Sequence, residues 1–299
     1  MKFQVCFGSL LVFLLAFGSS AFPAVTTDPA YRAEIEKWRQ QREARLKSDD
    51  GYLSIVGLFW LNEGENHFGS SPLNDFVLPE GPPKAGHFVF ENGKITVHID
   101  DGVKAQLDGK PVREAAMLPD SDDKGPSILK LDSLTLFVHA SGARLAIRVK
   151  DKNSLLLKEF AGLQWFPVDE SYRVTAKFVP YDKPKEVSVA NILGDVDKMS
   201  SPGEVVFTLR GQEMRMQAVT DDKKLWFIFR DLTSGKETYG AARFLYSDPP
   251  KDGKVILDFN EAYNPPCAFN PFTTCPLPPP ENRLPVRIEA GEMKYVHGH

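Results

Sequence analysis

The chain has 299 residues, 42% of them hydrophobic and 25% charged, with 36 Lys and Arg against 40 Asp and Glu for a formal net charge of −4. This is the composition of a folded globular protein, long enough for one large domain or two modest ones, and it excludes a disordered chain. No basic run and no basic patch with interleaved aromatics occurs, which argues against nucleic acid as a partner.

Residues 1–21 read as a signal peptide: Lys2 supplies the positive start, Phe3 to Phe17 the apolar stretch, and Ser19, Ser20 and Ala21 a small-residue cleavage site. The apolar stretch is shorter than the ~20 residues a spanning helix needs. We therefore expect cleavage near Ala21, export, and no membrane span in the mature chain; an uncleaved anchor is the alternative. Residues 22–50 carry one helix. Asp28 is placed to cap it and Pro29 to open it, where a missing N–H costs nothing. Tyr31, Ile35, Trp38, Leu46 and the stem of Arg42 share one stripe through Lys47, while Glu34, Glu36, Arg39, Gln40 and Glu43 are expected to face water. Glu43 and Lys47 form a favourable i,i+4 pair. Such a stripe docks on the protein's own body; a partner surface is the alternative. Asp49, Asp50 and Gly51 end the helix.

From residue 51 to 299 the pattern is that of one β domain, or of two packed β lobes. Tyr52 to Leu61 runs apolar and is strand-like or a buried turn. Asn62 to Ser71 reads as a polar, glycine-bounded loop, either a solvated turn or a pocket lining with Asn62, Glu63, Asn66 and His67. Lys94 to Asp100 alternates with period two. Asp108 and Gly109 mark a hairpin turn, and Ser133–Ala140 with Arg144–Lys150 a second hairpin. Further short strands are expected at Arg173–Pro180, Val187–Leu193, Glu204–Arg210, Glu213–Val219, Leu225–Arg230, Thr238–Tyr246 and Val255–Phe259. The fold class is mostly β: an antiparallel sandwich or barrel-like body with one N-terminal helix and a proline-rich C-terminal loop.

That loop, residues 258–285, contains eight prolines yet also Phe259, Tyr263, Phe269, Phe272, Leu277 and Leu284. Prolines forbid a helix or central strand, and the apolar residues demand burial, so an ordered irregular loop across a core is expected. Its run AYNPPCAFNPFTTCPLPPPENRLPVRIEAGE resembles the signature of the bacterial domain-of-unknown-function family 1684 (DUF1684). The resemblance extends over nearly the whole mature chain and implies a shared fold, but no chemistry; a bacterial source implies the periplasm. Cys267 and Cys275 then stand in an oxidising compartment, and a disulfide is the leading reading, with a reactive thiol or metal pair as the alternative.

No established catalytic motif and no metal site is legible, and no cofactor is expected. His67, His87, His98 and His139 are scattered singly, and His297 and His299 read as a tail. The densest polar grouping joins Asp258, Tyr239 and Arg243, the catalytic candidates, to Asn260, Asn264, Asn282 and Arg283, the ligand-binding candidates. Three readings stay open. The first is a structural network, including an Arg243–Asp258 ion pair. The second is a binding or accessory protein with a pocket for a small polar ligand under the loop. The third is a hydrolase or lyase acting on a small polar or glycan-like substrate, with Asp258 as base. Trp60, Trp165 and Trp226 sit in apolar runs and are expected in the core, with sugar stacking as the alternative.

Overall fold

The structure, a computed structural model, describes residues 27–296. The expected signal peptide, His297 and His299 lie outside the described residues. The chain begins with α1 (Pro29–Leu46), β1 (Ile55–Trp60), β2 (Gly64–Gly69), β3 (Phe76–Val77), β4 (Gly86–Glu91) and β5 (Lys94–Ile99). It continues with β6 (Gln106–Leu107), β7 (Lys110–Pro111), β8 (Glu114–Met117), β9 (Leu129–Leu131), β10 (Leu134–Ser141), β11 (Arg144–Asp151) and the one-turn α2 (Leu155–Lys158). The long strands follow: β12 (Arg173–Ala190), β13 (Val196–Leu209) and β14 (Gln212–Asp221), then β15 (Lys224–Phe229), β16 (Arg243–Ser247) and β17 (Lys254–Asp258).

The first half is a sandwich. The sheet β3-β2-β4-β5-β8 faces the sheet β1-β11-β10-β9-β6-β7, and Phe68, Phe88, Val97, Leu136 and Ile147 fill the space between them. The pleat decides what the second sheet shows on its other side. Leu134, Leu136 and Val138 of β10 and Ile147 and Val149 of β11 point into the sandwich. Phe137, paired with Arg148, and His139, paired with Ala146, therefore stand on the outer face. The β6–β7 hairpin turns at Asp108 and Gly109, both with positive φ (49° and 79°), as its two-residue turn requires.

The second half is one antiparallel sheet, β16-β15-β14-β13-β12-β17, curled into a half-barrel. Its inner face carries Val205, Phe207, Met216, Phe227, Leu245 and Leu257. The chain itself covers that face: Leu284, Val286, Ile288 and Ala290 lie against it. These alternate with exposed or half-buried Pro285, Arg287 and Glu289, the period of a strand, and the stretch hydrogen-bonds to Arg230 and Leu232. The opposite face, with Val219, Trp226, Ile228 and Phe244, packs on Cys275 and Tyr263 of the proline-rich segment. The two halves are clamped where the β10–β11 hairpin meets the turn between β12 and β13. Arg144 grips Asp195 with two bonds of 2.8 and 2.6 Å, and Asp197 accepts the Gly142 N–H at 2.8 Å.

Several expectations need correction. Asn62–Ser71 is not a loop lining a pocket but holds β2. Asn66 is buried and acts as a backbone surrogate, donating to the carbonyls of Asn62 and Gly64 and accepting the Asn62 N–H. The two strands expected at 173–180 and 187–193 are one, β12, with an irregular register between Pro180 and Lys185. Helix α1 is capped by Asp28 and docks through Tyr31, Ile35 and Leu46 as expected, but Arg39 is buried and donates to the Phe166 carbonyl at 2.9 Å. Glu43 likewise turns inward to accept the Leu163 N–H at 2.9 Å. Irregular chain over residues 159–168 needs partners for its backbone, and the helix supplies them. No helix of the described residues is long and apolar enough to cross a membrane.

Candidate functional site

The proline-rich segment covers two polar regions. The first lies beneath Asn264–Ala290. Arg243, the first residue of β16, is wholly buried; its Nη1 donates to Asp231 at 2.7 Å and to the Ile288 carbonyl at 3.0 Å, and Nη2 donates to the Ala290 carbonyl. Burial draws the guanidinium below its ordinary value while Asp231 opposes that shift. Asn264 donates to Glu292 at 2.8 Å and to the Met293 carbonyl at 2.7 Å, and Arg42 completes the group by bonding Glu292 and the Asn264 carbonyl. Asn282 pairs with Gln217 in both directions and with the Ile228 carbonyl. Gly291, at φ 81°, lets the chain pass so near residue 262 that a Cβ there would stand 2.4 Å from the Ala262 carbonyl oxygen.

The expected Arg243–Asp258 ion pair is not formed. Asp258 takes the Tyr31 hydroxyl at 2.9 and 2.8 Å, the Asn260 N–H at 3.1 Å, and Arg173 at 3.7 Å. Residues 259–261 form a 3-10 turn rather than an extended strand, because the Asp258 side chain closes on the Asn260 N–H. Asn260 in turn joins Asp169 and Tyr31. Tyr239 lies outside any strand, since β16 begins only at Arg243, and donates to the Cys267 carbonyl at 3.1 Å. Asp258, Tyr239 and Arg243 thus share no partner, and Arg283 is exposed. Beside Asp258, Glu261 lines a lysine-rich cleft with Lys224, Lys251 and Lys254. Burial first, and then the Asp258 charge, pushes its carboxyl up to about 7.

Cys267 and Cys275 are free thiols, so the expected bridge is not formed. The Cys275 sulfur instead accepts the Cys267 N–H at 3.1 Å. A side-chain hydrogen bond with Cys275, and then burial, raise the Cys267 thiol above its ordinary range.

The second polar region is a cavity of ≈ 300 Å³ between the two halves, under the Tyr263–Pro276 part of the segment. The sandwich contributes Tyr52, Ile55 and Arg148; the half-barrel contributes Asp221, Trp226, Phe244 and Tyr246; the segment contributes Tyr263, Pro266 and Thr273–Pro276. Its walls are aromatic, with Trp226 edge-on to Phe244 at 4.8 Å and stacked on Tyr246 at 5.9 Å. The Tyr246 hydroxyl donates to Asp221, so that carboxylate is engaged. Arg148 Nε and Nη2 and Trp226 Nε1, in contrast, are buried without any hydrogen-bond partner. Buried donors in folded proteins are nearly always paired, and three unspent ones on two residues that line a single small cavity demand an explanation. Larger clefts at the sandwich edge, of ≈ 570 and ≈ 580 Å³, have no such atom among their lining residues.

Behind Thr274, one of the residues that line this cavity, His139 links two elements. Its Nδ1 lies 2.6 Å from Asp120 Oδ2 and its Nε2 lies 2.7 Å from Thr274 Oγ1. Asp120 is itself fixed by the Ala140 N–H at 2.9 Å. Burial raises its carboxyl, but the His139 bond and charge outweigh that and hold it below the usual range. A carboxylate only accepts, so Nδ1 carries a proton, and whenever the ring is neutral its Nε2 accepts from the Thr274 hydroxyl.

Sequence reading missed the grouping of Asp120 and Thr274 with His139 because they lie 19 and 135 residues from it. The one signal was Arg148, a charge set between the buried Ile147 and Val149 in β11. The other histidines are not single either. His67, His87 and His98 are opposed across β2, β4 and β5, with ring centroids 5.4 and 4.7 Å apart.

The sequence model of the family described as "Protein of unknown function (DUF1684)" matches residues 158–293, so the match is narrower than the resemblance implied. Among solved structures, the solution NMR structure of an uncharacterized protein of Haloarcula marismortui is 31% identical. That similarity covers 46% of this chain and 78% of that one, at a TM-score of 0.39. No curated protein matches the chain. The half-barrel and the proline-rich segment carry the family match, and through residues 158–293 the chain belongs to the DUF1684 family.

Proposed function

We propose that this is a binding protein for a small carboxylate with a flat, apolar body, received in the cavity between Arg148 and the aromatic walls. The observation that carries the reading is the set of unspent donors, Arg148 Nε and Nη2 and Trp226 Nε1, on one aromatic cavity. The Nε–Nη2 edge of a guanidinium presents two parallel N–H groups, the geometry that grips a carboxylate bidentately. A volume of ≈ 300 Å³ fits a small ring or short chain rather than a large cofactor. The ligand-pocket reading of the 258–285 loop is kept in this proposal, with Arg148 in place of Arg243 or Arg283 as the anion anchor. Export through the signal in residues 1–21 is part of the same proposal, and N-terminal sequencing of periplasmic protein tests it.

The binding test is calorimetric titration with benzoate, phenylacetate and succinate, with benzamide as the uncharged control. Binding of at least one carboxylate, none of benzamide, and loss of at least ~10-fold in affinity in Arg148→Met are expected, since a charge-assisted bidentate pair is worth about 1.5–3 kcal/mol. Carboxylate affinity unchanged in Arg148→Met would refute the assignment.

A further inference from the structure

We infer that the Asp120–His139–Thr274 chain makes this cavity an esterase site, with Thr274 as nucleophile toward esters whose acyl part carries a carboxylate. This inference rests on the binding reading above and adds a reaction to it. Three observations support it. The distances, 2.6 Å from Asp120 to His139 and 2.7 Å from His139 to Thr274, are those of an orienting acid, a base and a hydroxyl nucleophile. The order is chemically correct, because the acid holds Nδ1 and leaves Nε2 facing the hydroxyl. Thr274 lines the cavity together with Arg148, so the hydroxyl and the carboxylate anchor open on one volume.

The framework around the three groups is rigid. His139 is fixed in the central strand pair β10–β11, on the outer face it shares with Arg148. Thr274 is held from both sides: the Phe272 N–H donates to Asn270 Oδ1 at 2.9 Å, and the Cys275 carbonyl accepts the Ile192 N–H at 2.9 Å. A bond serving only to fasten the loop would need no carboxylate behind the imidazole. With one, the ring is held in a single tautomer and the imidazolium that forms on proton transfer is stabilised.

The reaction runs as follows. Thr274 Oγ bonds to the ester carbonyl carbon while its proton passes to His139 Nε2, and negative charge collects on the carbonyl oxygen. The unspent Trp226 N–H is available to that oxygen, and Arg148 to the distal carboxylate of the acyl part. The C–O bond to the alcohol then breaks, and the leaving oxygen takes the proton from His139. Water adds to the acyl-threonine with His139 accepting its proton, and collapse returns that proton to Thr274 Oγ as the acid departs. Asp120 touches no reacting atom; it is a positioning residue.

The test uses the mature protein with p-nitrophenyl hemisuccinate and, as the neutral comparison, p-nitrophenyl acetate. Release of p-nitrophenol, faster for the hemisuccinate, and a succinyl adduct mapped by mass spectrometry to the Thr274 peptide are expected. Thr274→Val and His139→Gln should lower kcat by about 100-fold or more, Thr274→Ser should retain turnover, and Arg148→Met should erase the preference for the charged ester. Asp120→Asn should lower kcat while leaving KM near its wild-type value. Thermal melts verify that each variant is folded. If Thr274→Val is not, adduct mapping on the wild type and the Thr274→Ser rate decide. Folded wild-type protein that binds a carboxylate but forms no adduct and hydrolyses neither ester overturns this inference alone. Failure to bind any carboxylate as well overturns both readings.

Discussion

Beneath Asn264–Ala290, and beneath Tyr263–Pro276, the same proline-rich segment rests on arginine, and the two arginines live differently. Arg243 spends both terminal nitrogens on Asp231 and two carbonyls, leaving Nε alone without a partner. Arg148 has a carboxylate near enough to oppose the effect of burial on its charge, yet its Nε and Nη2 donate to nothing. One cation is consumed by the fold; the other is presented by it. A buried charge with its hydrogen bonds made is an element of structure, whereas one without them carries an uncompensated cost.

The largest test of this contrast is Arg243→Ala. Removing one partner of a buried pair strands Asp231 and two carbonyls, and unfolding in urea should show a loss of about 3–5 kcal/mol. A loss below about 1 kcal/mol would mean that the pair behaves as if exposed. Arg148→Met should move stability the other way. It replaces an incompletely solvated cation by an apolar chain of similar reach, and Tm should rise by about 2–4 °C for each kcal/mol of desolvation relieved. A fall in Tm would show that Arg148 is a brace like Arg243.

The smallest effect concerns Glu261, whose carboxyl is pushed up to about 7 from an unfolded value of 4.5. The folded state therefore holds a proton that the unfolded state has lost, and stability falls as pH rises through this window. Below about 4.5 both states are protonated and nothing is lost; above about 7 the penalty is complete. Glu261→Gln should leave Tm near wild type at the acid end and raise it by a few degrees at about pH 8. A Tm difference between variant and wild type that does not change with pH would refute the assignment.

Much of the fold was readable from the chain because its signals are local. Period-two alternation, the Asp108–Gly109 turn and the Asp28–Pro29 helix start each need only a few neighbours. The errors arose where a side chain, rather than another strand, satisfies the backbone. Arg39 and Glu43 turn inward because irregular chain at 159–168 lacks a ladder, and Asn66 makes a loop-like sequence into a strand by binding its own turn. Asp258 and Arg243 were placed together on composition, but the fold gives each a nearer partner, Tyr31 and Asp231. The cavity was legible only as a location under residues 258–285. Its chemistry comes from an imidazole and a guanidinium on an outer sheet face, and which face is outer depends on what packs against it.

The cover that Leu284–Ala290 lays on the half-barrel has a consequence for the order of synthesis. Every strand of the described structure has been made by Asp258, yet Phe227, Phe229 and Leu245 stay uncovered on one side until residues some thirty positions later emerge. Arg243 meets its two carbonyl partners only then. A nascent chain can complete the sandwich early, but not the half-barrel, which closes after translation of that stretch. A ribosome that stops short near residue 280 would release a product with an uncovered apolar sheet and an arginine short of partners, a state that proteases and chaperones recognise. The covering stretch thus sets a minimum length: only a chain that extends through Ala290 can bury this core.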